Sequence, residues 1–174
     1  MTFEDLGNLG DFVGGLGVVV TLIYLARQIH HNTQSVRGAA ELDAARMRMD
    51  WHNVAAAHPE LADLWEKSFR DPSACTPEEV SRFLWYISAY FHLLEGFWFQ
   101  HRRGLLEEDA FRPMRVAIRG LLSNPLILEF WKNEMSVLSP GFRKFGNELL
   151  AREAEGDWAF TSMVDVTERV GPKA

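Results

Sequence analysis

Between Leu6 and Ala26 the chain reads LGNLGDFVGGLGVVVTLIYLA, 21 residues that carry a single charge, Asp11. Wound as a helix at 1.5 Å per residue, this run covers about 30 Å, the thickness of a bilayer's hydrocarbon core. From Phe12 to Ala26 the only ionisable group is the Tyr24 hydroxyl. A helix on the surface of a soluble domain shows a polar stripe at a period of 3.6 residues. Here Val18, Val19, Val20, Leu22, Ile23 and Leu25 surround the helix on every side, so the pattern predicts a transmembrane anchor over residues 1–27.

Three other readings compete with that one. A cleaved signal peptide needs a basic leading region and a small-residue cleavage site, whereas this run is preceded by Glu4 and Asp5 and ends in Tyr24-Leu25-Ala26-Arg27. A helix lying in the interface needs one strongly polar face. The serious rival is an apolar helix hidden inside a soluble oligomer. Orientation follows from the flanks: Arg27, Arg37, Arg46 and Arg48 lie after the run and no Lys or Arg before it. Basic excess marks the cytoplasmic side, which predicts the N-terminus outside, the inner membrane as location and a cytoplasmic body. The lone Cys75 suits a reducing compartment and excludes both a disulfide framework and a Cys-rich zinc site.

Small residues line the predicted span. Gly10 and Gly14 form a G-x-x-x-G pair, extended by Gly17 and Thr21. Such ridges let helix backbones approach closely in lipid, so the expectation is self-association as a homo-oligomer. The plainer alternative is that glycine is simply common in membrane helices. Asp11 is read as a boundary residue reachable by headgroups and water rather than as an intramembrane ion or proton site.

After the span the chain continues without a break. Gln28 to Ala57 holds no Pro and one Gly, with Val36, Ala40, Ala44, Met47, Trp51 and Val54 at helical spacing. One helix of about 50 residues is expected to run into the body, with Pro59 opening a shorter one, 60–70. Thr76-Pro77-Glu78-Glu79 carries a capping box and starts a helix that stops at Gly104. Its interior, FLWYISAYFHLLEGFWF, is apolar nearly all round and so belongs at the centre of a bundle; a second span there is a weaker alternative. Further helices are expected over 106–123, bent or delayed by Pro113, over 125–137 with Asn124 as cap, and over 140–155. No hairpin signal or alternating run occurs. The fold class expected is all-α: a transmembrane helix continuing into a cytoplasmic bundle of five or six helices over residues 28–155, then a tail, 156–174, able to dock on a partner.

The segment Gly14-Gly15-Leu16-Gly17-Val18-Val19-Val20-Thr21-Leu22-Ile23-Tyr24-Leu25-Ala26-Arg27-Gln28-Ile29, followed by Asn32-Thr33, resembles the N-terminus of a large, uncharacterised bacterial family of small membrane-anchored helical proteins. The resemblance extends to Pro59-Glu60-Leu61-Ala62-Asp63-Leu64-Trp65 and to the aromatic helix. It implies a membrane-anchored helical protein and brings no catalytic residue.

Chemistry-bearing constellations are few. His92 and Glu95 stand three apart on one face of the aromatic helix. They could form an acid/base pair or half a metal site, but a satisfied polar stripe explains them better. A di-metal bundle needs E-x-x-H motifs, and the chain has none; no metal or cofactor is expected. P-loop, G-x-S-x-G, G-x-G-x-x-G and H-E-x-x-H signatures are missing. The net charge of -6 and pI near 5.5 argue against a nucleic-acid partner. Trp85, Tyr86, Tyr90, Phe91 and Trp98 could line a pocket for a flat or acyl small-molecule ligand, although aromatic clusters more often form core or interface. The expected role is thus a membrane-anchored, self-associating interaction or scaffold protein in contact with the lipid bilayer. A membrane-tethered small-molecule sensor and an enzyme using His92 and Glu95 are the alternatives.

Overall fold

The computed structural model describes residues 3–133 and 135–154; the C-terminal tail, 156–174, lies outside the described residues. The chain divides into two compact units, residues 1–40 and 41–174. The expected anchor, 1–27, ends thirteen residues before that division.

The first unit is helical throughout its described length, part of α1 (Phe3–Ala57). No Pro interrupts α1, so its backbone ladder has no reason to break. Thr21, Thr33 and Ser35 each turn the hydroxyl back onto the carbonyl four residues earlier, Thr21 onto Gly17 at 2.8 Å. That local bond gives each hydroxyl a partner without help from outside the helix.

The second unit is a bundle of the end of α1 with α2 (Pro59–Arg70), α3 (Pro77–Arg102), α4 (Glu108–Leu122), α5 (Pro125–Asn133) and α6 (Pro140–Ala154). Short 3-10 turns lie at Pro72–Ala74 and Met135–Val137. Proline opens α2, α3, α5 and α6, where its missing N–H costs nothing and its fixed φ suits the first turn. The capping box of α3 forms in full: the Thr76 hydroxyl accepts from Glu79 N, and the Glu79 carboxylate accepts from Thr76 N at 2.7 Å. Gly104 ends the helix at φ +70°, the left-handed conformation that a side chain would oppose. Its N–H reaches the His101 carbonyl, and that of Leu105 reaches Gln100, closing a Schellman motif.

Two boundaries differ from the sequence expectation. The fourth helix starts at Glu108 instead of Leu106, with Pro113 inside it. The fifth ends at Asn133, and Met135–Val137 forms a 3-10 turn.

The core is built from aromatic and branched side chains. Phe83, Ile87, Phe91, Leu94 and Phe97 of α3 are sealed from solvent, as are Phe111, Met114 and Ile118 of α4, Ile127 of α5 and Phe142 of α6. Burial of each such side chain contributes about 1.5–3 kcal/mol. Two glycines let α6 sit close. A Cβ on Gly141 would lie 2.7 Å from the Trp98 ring, and one on Gly146 would lie 2.5 Å from Trp131. The next residue, Asn147, accepts the Trp131 indole N–H at 2.9 Å. The buried polar pair is Asn124 and Ser68. Asn124 Oδ1 accepts from the N–H groups of Leu126 and Ile127, while its Nδ2 donates to Ser68 Oγ. Ser68 in turn donates to the Trp65 carbonyl, so every polar atom of the pair has a partner.

Candidate functional site

The feature that sets this chain apart is the outward character of α1. From Phe12 to Leu25 its large apolar side chains are exposed between 46% and 70%. Over the most apolar window, within Gly10–Ala57, the mean hydropathy is 1.7 and no residue is buried. Among the described residues this is the one helix long and apolar enough to cross a membrane. Gly10, Gly14 and Gly17 present bare backbone, because a Cβ at any of them would meet nothing within 4 Å. Asp11 is exposed beside them.

The aromatic residues of α3 do not converge on one pocket. Trp85 points into solvent and is 76% exposed. Tyr86 and Tyr90 stack on Trp51 of α1, with ring centroids at 4.5 and 3.9 Å and planes 11° and 16° apart. The Tyr86 hydroxyl donates to the Trp51 carbonyl at 2.9 Å, and burial pushes the ionisation of both tyrosines upward. Phe91 packs on the other side against Trp131, at 5.0 Å. Trp98 meets Phe142 and Phe145, with the Arg102 guanidinium 4.9 Å above its ring. The five residues therefore leave α3 in at least three directions. A flat ligand between Tyr86 and Tyr90 would have to displace Trp51, which already occupies their faces. Trp51, which the sequence offers to the aromatic cluster from another helix, is the ring that fills this space. Its helical spacing from Ala44 and Arg48 was the available signal, and both of those share its inward face.

His92 and Glu95 do meet, at 3.8 Å between Nδ1 and Oε2, with side-chain exposures of 51% and 14%. The shorter contact belongs to Glu95 alone. Its Oε1 accepts the Ser139 backbone N–H at 2.6 Å, immediately before α6. A carboxylate there satisfies an orphan amide and complements the positive end of the helix. Glu95 thus ties α3 to α6, and His92 stands at the edge of that tie.

Two further clusters were not foreseen. Lys67 Nζ donates to Glu79 Oε2 at 2.7 Å, the same oxygen that closes the capping box. That ammonium, together with the Thr76 N–H, holds the Glu79 carboxyl below the ordinary carboxylate range. Nearby, burial raises the Cys75 thiol above its usual value, the reverse of what a thiolate nucleophile needs. His101 stacks on Phe111 at 4.3 Å and 3°, with Nδ1 2.9 Å from the Leu106 carbonyl and Nε2 3.6 Å from Glu108. Glu108 also pairs with Arg115. Among the described residues no group of three or more His, Cys, Asp or Glu side chains is arranged to hold a metal ion. A shallow recess of about 450 Å³ lies along α6 against Pro140, Arg143, Lys144, Asn147, Glu148 and Ala151. Comparison of the chain with known protein families, curated proteins and solved structures finds no match.

Proposed function

We propose that this chain is a single-pass membrane protein of bacterial origin whose helical body serves as an interaction or scaffold module, active as a homo-oligomer. The observation that carries the reading is the run from Phe12 to Leu25, apolar and uncovered on all sides. Surface of that kind is unfavourable in water and favourable among acyl chains, at about 25 cal/mol per Å² transferred. The basic residues Arg27, Arg37, Arg46 and Arg48 follow the run, which favours a cytoplasmic body and an external N-terminus in the inner membrane. The G-x-x-x-G ridge at Gly10 and Gly14 supports close pairing of spans.

The body supports binding better than catalysis. Glu95 is committed to Ser139, and Tyr86 and Tyr90 are covered by Trp51. Alkaline extraction of membranes tests the anchor: the full chain is expected in the pellet, and recovery in the supernatant would refute it. Sidedness follows from two single-cysteine variants made in a Cys75→Ser background, Asn8→Cys and Lys144→Cys. An impermeant maleimide applied to intact cells should label the first and spare the second; the opposite pattern would invert the topology.

A further inference from the structure

Along α3 one face has no partner among the described residues. Trp85, Ala89, His92, Gly96 and Phe99 are all exposed, and they recur at spacings of four, three, four and three. That is the seam spacing by which one helix packs along another. A Cβ on Gly96 would meet nothing within 4 Å. We infer that this stripe is the contact by which two copies of the chain pair through their bodies, α3 against α3 in antiparallel sense, crossing at His92. The inference rests on the membrane-anchored reading above and names the surface that would make it an oligomer.

Three observations select a second copy as the occupant. The order of sizes is large, small, imidazole, small, large, and it reads nearly the same in both directions. It suits a two-fold contact, in which a patch must be complementary to itself. Small residues beside the crossing point allow close approach, and the aromatic rings fill the space where the helices diverge. The charges agree with the antiparallel sense. Glu78 and Arg103 lie exposed at opposite ends of the stripe, which brings each within one turn of the other across the contact, and the helix dipoles would oppose head to tail. Arg102, which would otherwise meet Arg82, is drawn onto Trp98 of its own helix. A parallel pairing would instead set like charge against like charge at both ends. A lipid surface fits less well, since the middle of the stripe offers a half-exposed imidazole flanked by Ala and Gly, with little apolar area to bury.

The area is modest. With Trp85 76% and Phe99 37% exposed, the stripe offers on the order of 400–500 Å² per copy, or about 800–1,000 Å² in all, the lower edge of specific contacts. Such a face pairs weakly in free solution. Two copies held in one bilayer meet at a much higher effective concentration, which makes a weak face sufficient.

The test is disulfide trapping of the full chain in liposomes, in a Cys75→Ser background, with copper phenanthroline as oxidant. His92→Cys should give covalent dimer, because the two-fold axis brings the paired Cβ atoms within about 4 Å. Asp63→Cys, on the exposed side of α2, should not. A mixture of Trp85→Cys and Phe99→Cys chains should yield the mixed dimer in preference to either homodimer. Adding Trp85→Lys to His92→Cys should lower the trapped dimer by about tenfold, because it removes the largest apolar side chain of the stripe. Adding Gly14→Leu should leave the trapping intact.

No trapping at residue 92 above the Asp63 control would overturn the inference, as would homodimers at residue 85 without the mixed product. Trapping lost with Gly14→Leu but kept with Trp85→Lys would assign the contact to the spans and overturn it too. So would protection of the thiol in the His92→Cys chain from a soluble maleimide in vesicles holding single copies, which would place the face on lipid. Alkaline extraction of the same samples reads the anchor separately, so a soluble chain and an unpaired face give different results.

Discussion

Two glycines in helix interiors should respond to the same substitution with opposite sign. At Gly146 the new Cβ would stand 2.5 and 2.8 Å from two carbons of the Trp131 ring. That ring cannot step aside, being 2% exposed and held at its Nε1 by Asn147. Overpacking of a close-packed core costs about 1–3 kcal/mol, and a contact against an immobile ring belongs at the top of that range. Against it stands the gain in helix propensity from Gly to Ala, about 1 kcal/mol. Gly146→Ala should therefore destabilise the body by about 2 kcal/mol, a fall of about 5–10 °C in Tm. At Gly96 nothing of the same chain lies within 4 Å of the added methyl, so in the unpaired chain only the propensity gain applies, and Gly96→Ala should stabilise the monomer by up to about 1 kcal/mol. Thermal melts of the detergent-solubilised full chain, followed by far-UV circular dichroism, give both values. A double-mutant cycle with Trp131→Phe should then recover at least about 1 kcal/mol of the Gly146→Ala loss. A neutral or stabilising Gly146→Ala, or a cycle with no coupling, would show that the α5–α6 approach is not set by this glycine.

Other perturbations probe the remaining features. Val19→Arg places a charge at the middle of the apolar run, where an arginine costs about 2.5–3.5 kcal/mol to insert; the variant should lose a large share of its membrane-pellet fraction, and an unchanged pellet would argue against a span. Glu95→Ala leaves the Ser139 amide without its carboxylate and should cost about 1.5–3 kcal/mol, whereas His92→Ala should cost little; equal effects in chemical denaturation would point to an ionic pair as the working unit instead. The Lys67–Glu79 contact sets an acid limit. The Glu79 carboxyl is held below its ordinary value, so its contribution is present above the ordinary carboxylate range and is lost as pH falls through the lowered one. The stability gap between the native chain and Lys67→Met should thus be open at neutral pH and close under acid; a pH-independent gap would refute the assignment.

What the sequence disclosed and what it withheld divide by range along the chain. Thr76 and Glu79 meet within one turn, and Gly104 stops α3 through its own backbone, so local chemistry sufficed to place them. The four prolines that open helices work in the same way. Asn124 was recognisable as a cap, because the groups it satisfies, Leu126 and Ile127 N–H, are its near neighbours. Its other partner, Ser68, is 56 residues away and left no trace in any window. Trp51 lies 35 residues from Tyr86 and Glu95 lies 44 from Ser139. Periodicity could mark each as inward or polar without naming what it would meet. The aromatic helix shows the limit most clearly. An interior apolar on all sides was expected to be covered on all sides, yet Trp85 and Phe99 face outward, since composition alone does not count how many neighbours a bundle supplies.

The tie between Asn124 and Ser68 also bears on the order in which the body assembles. One side chain both caps α5 and bonds α2: its oxygen closes the first turn locally, while its amide nitrogen gains a partner only after a loop of 56 residues has closed. Closing that loop carries an entropy cost that must be met before the contact gives anything back. The cost therefore falls on the bond to α2 and not on the start of α5, and the junction acts as a clasp between a locally capped helix and a distant one.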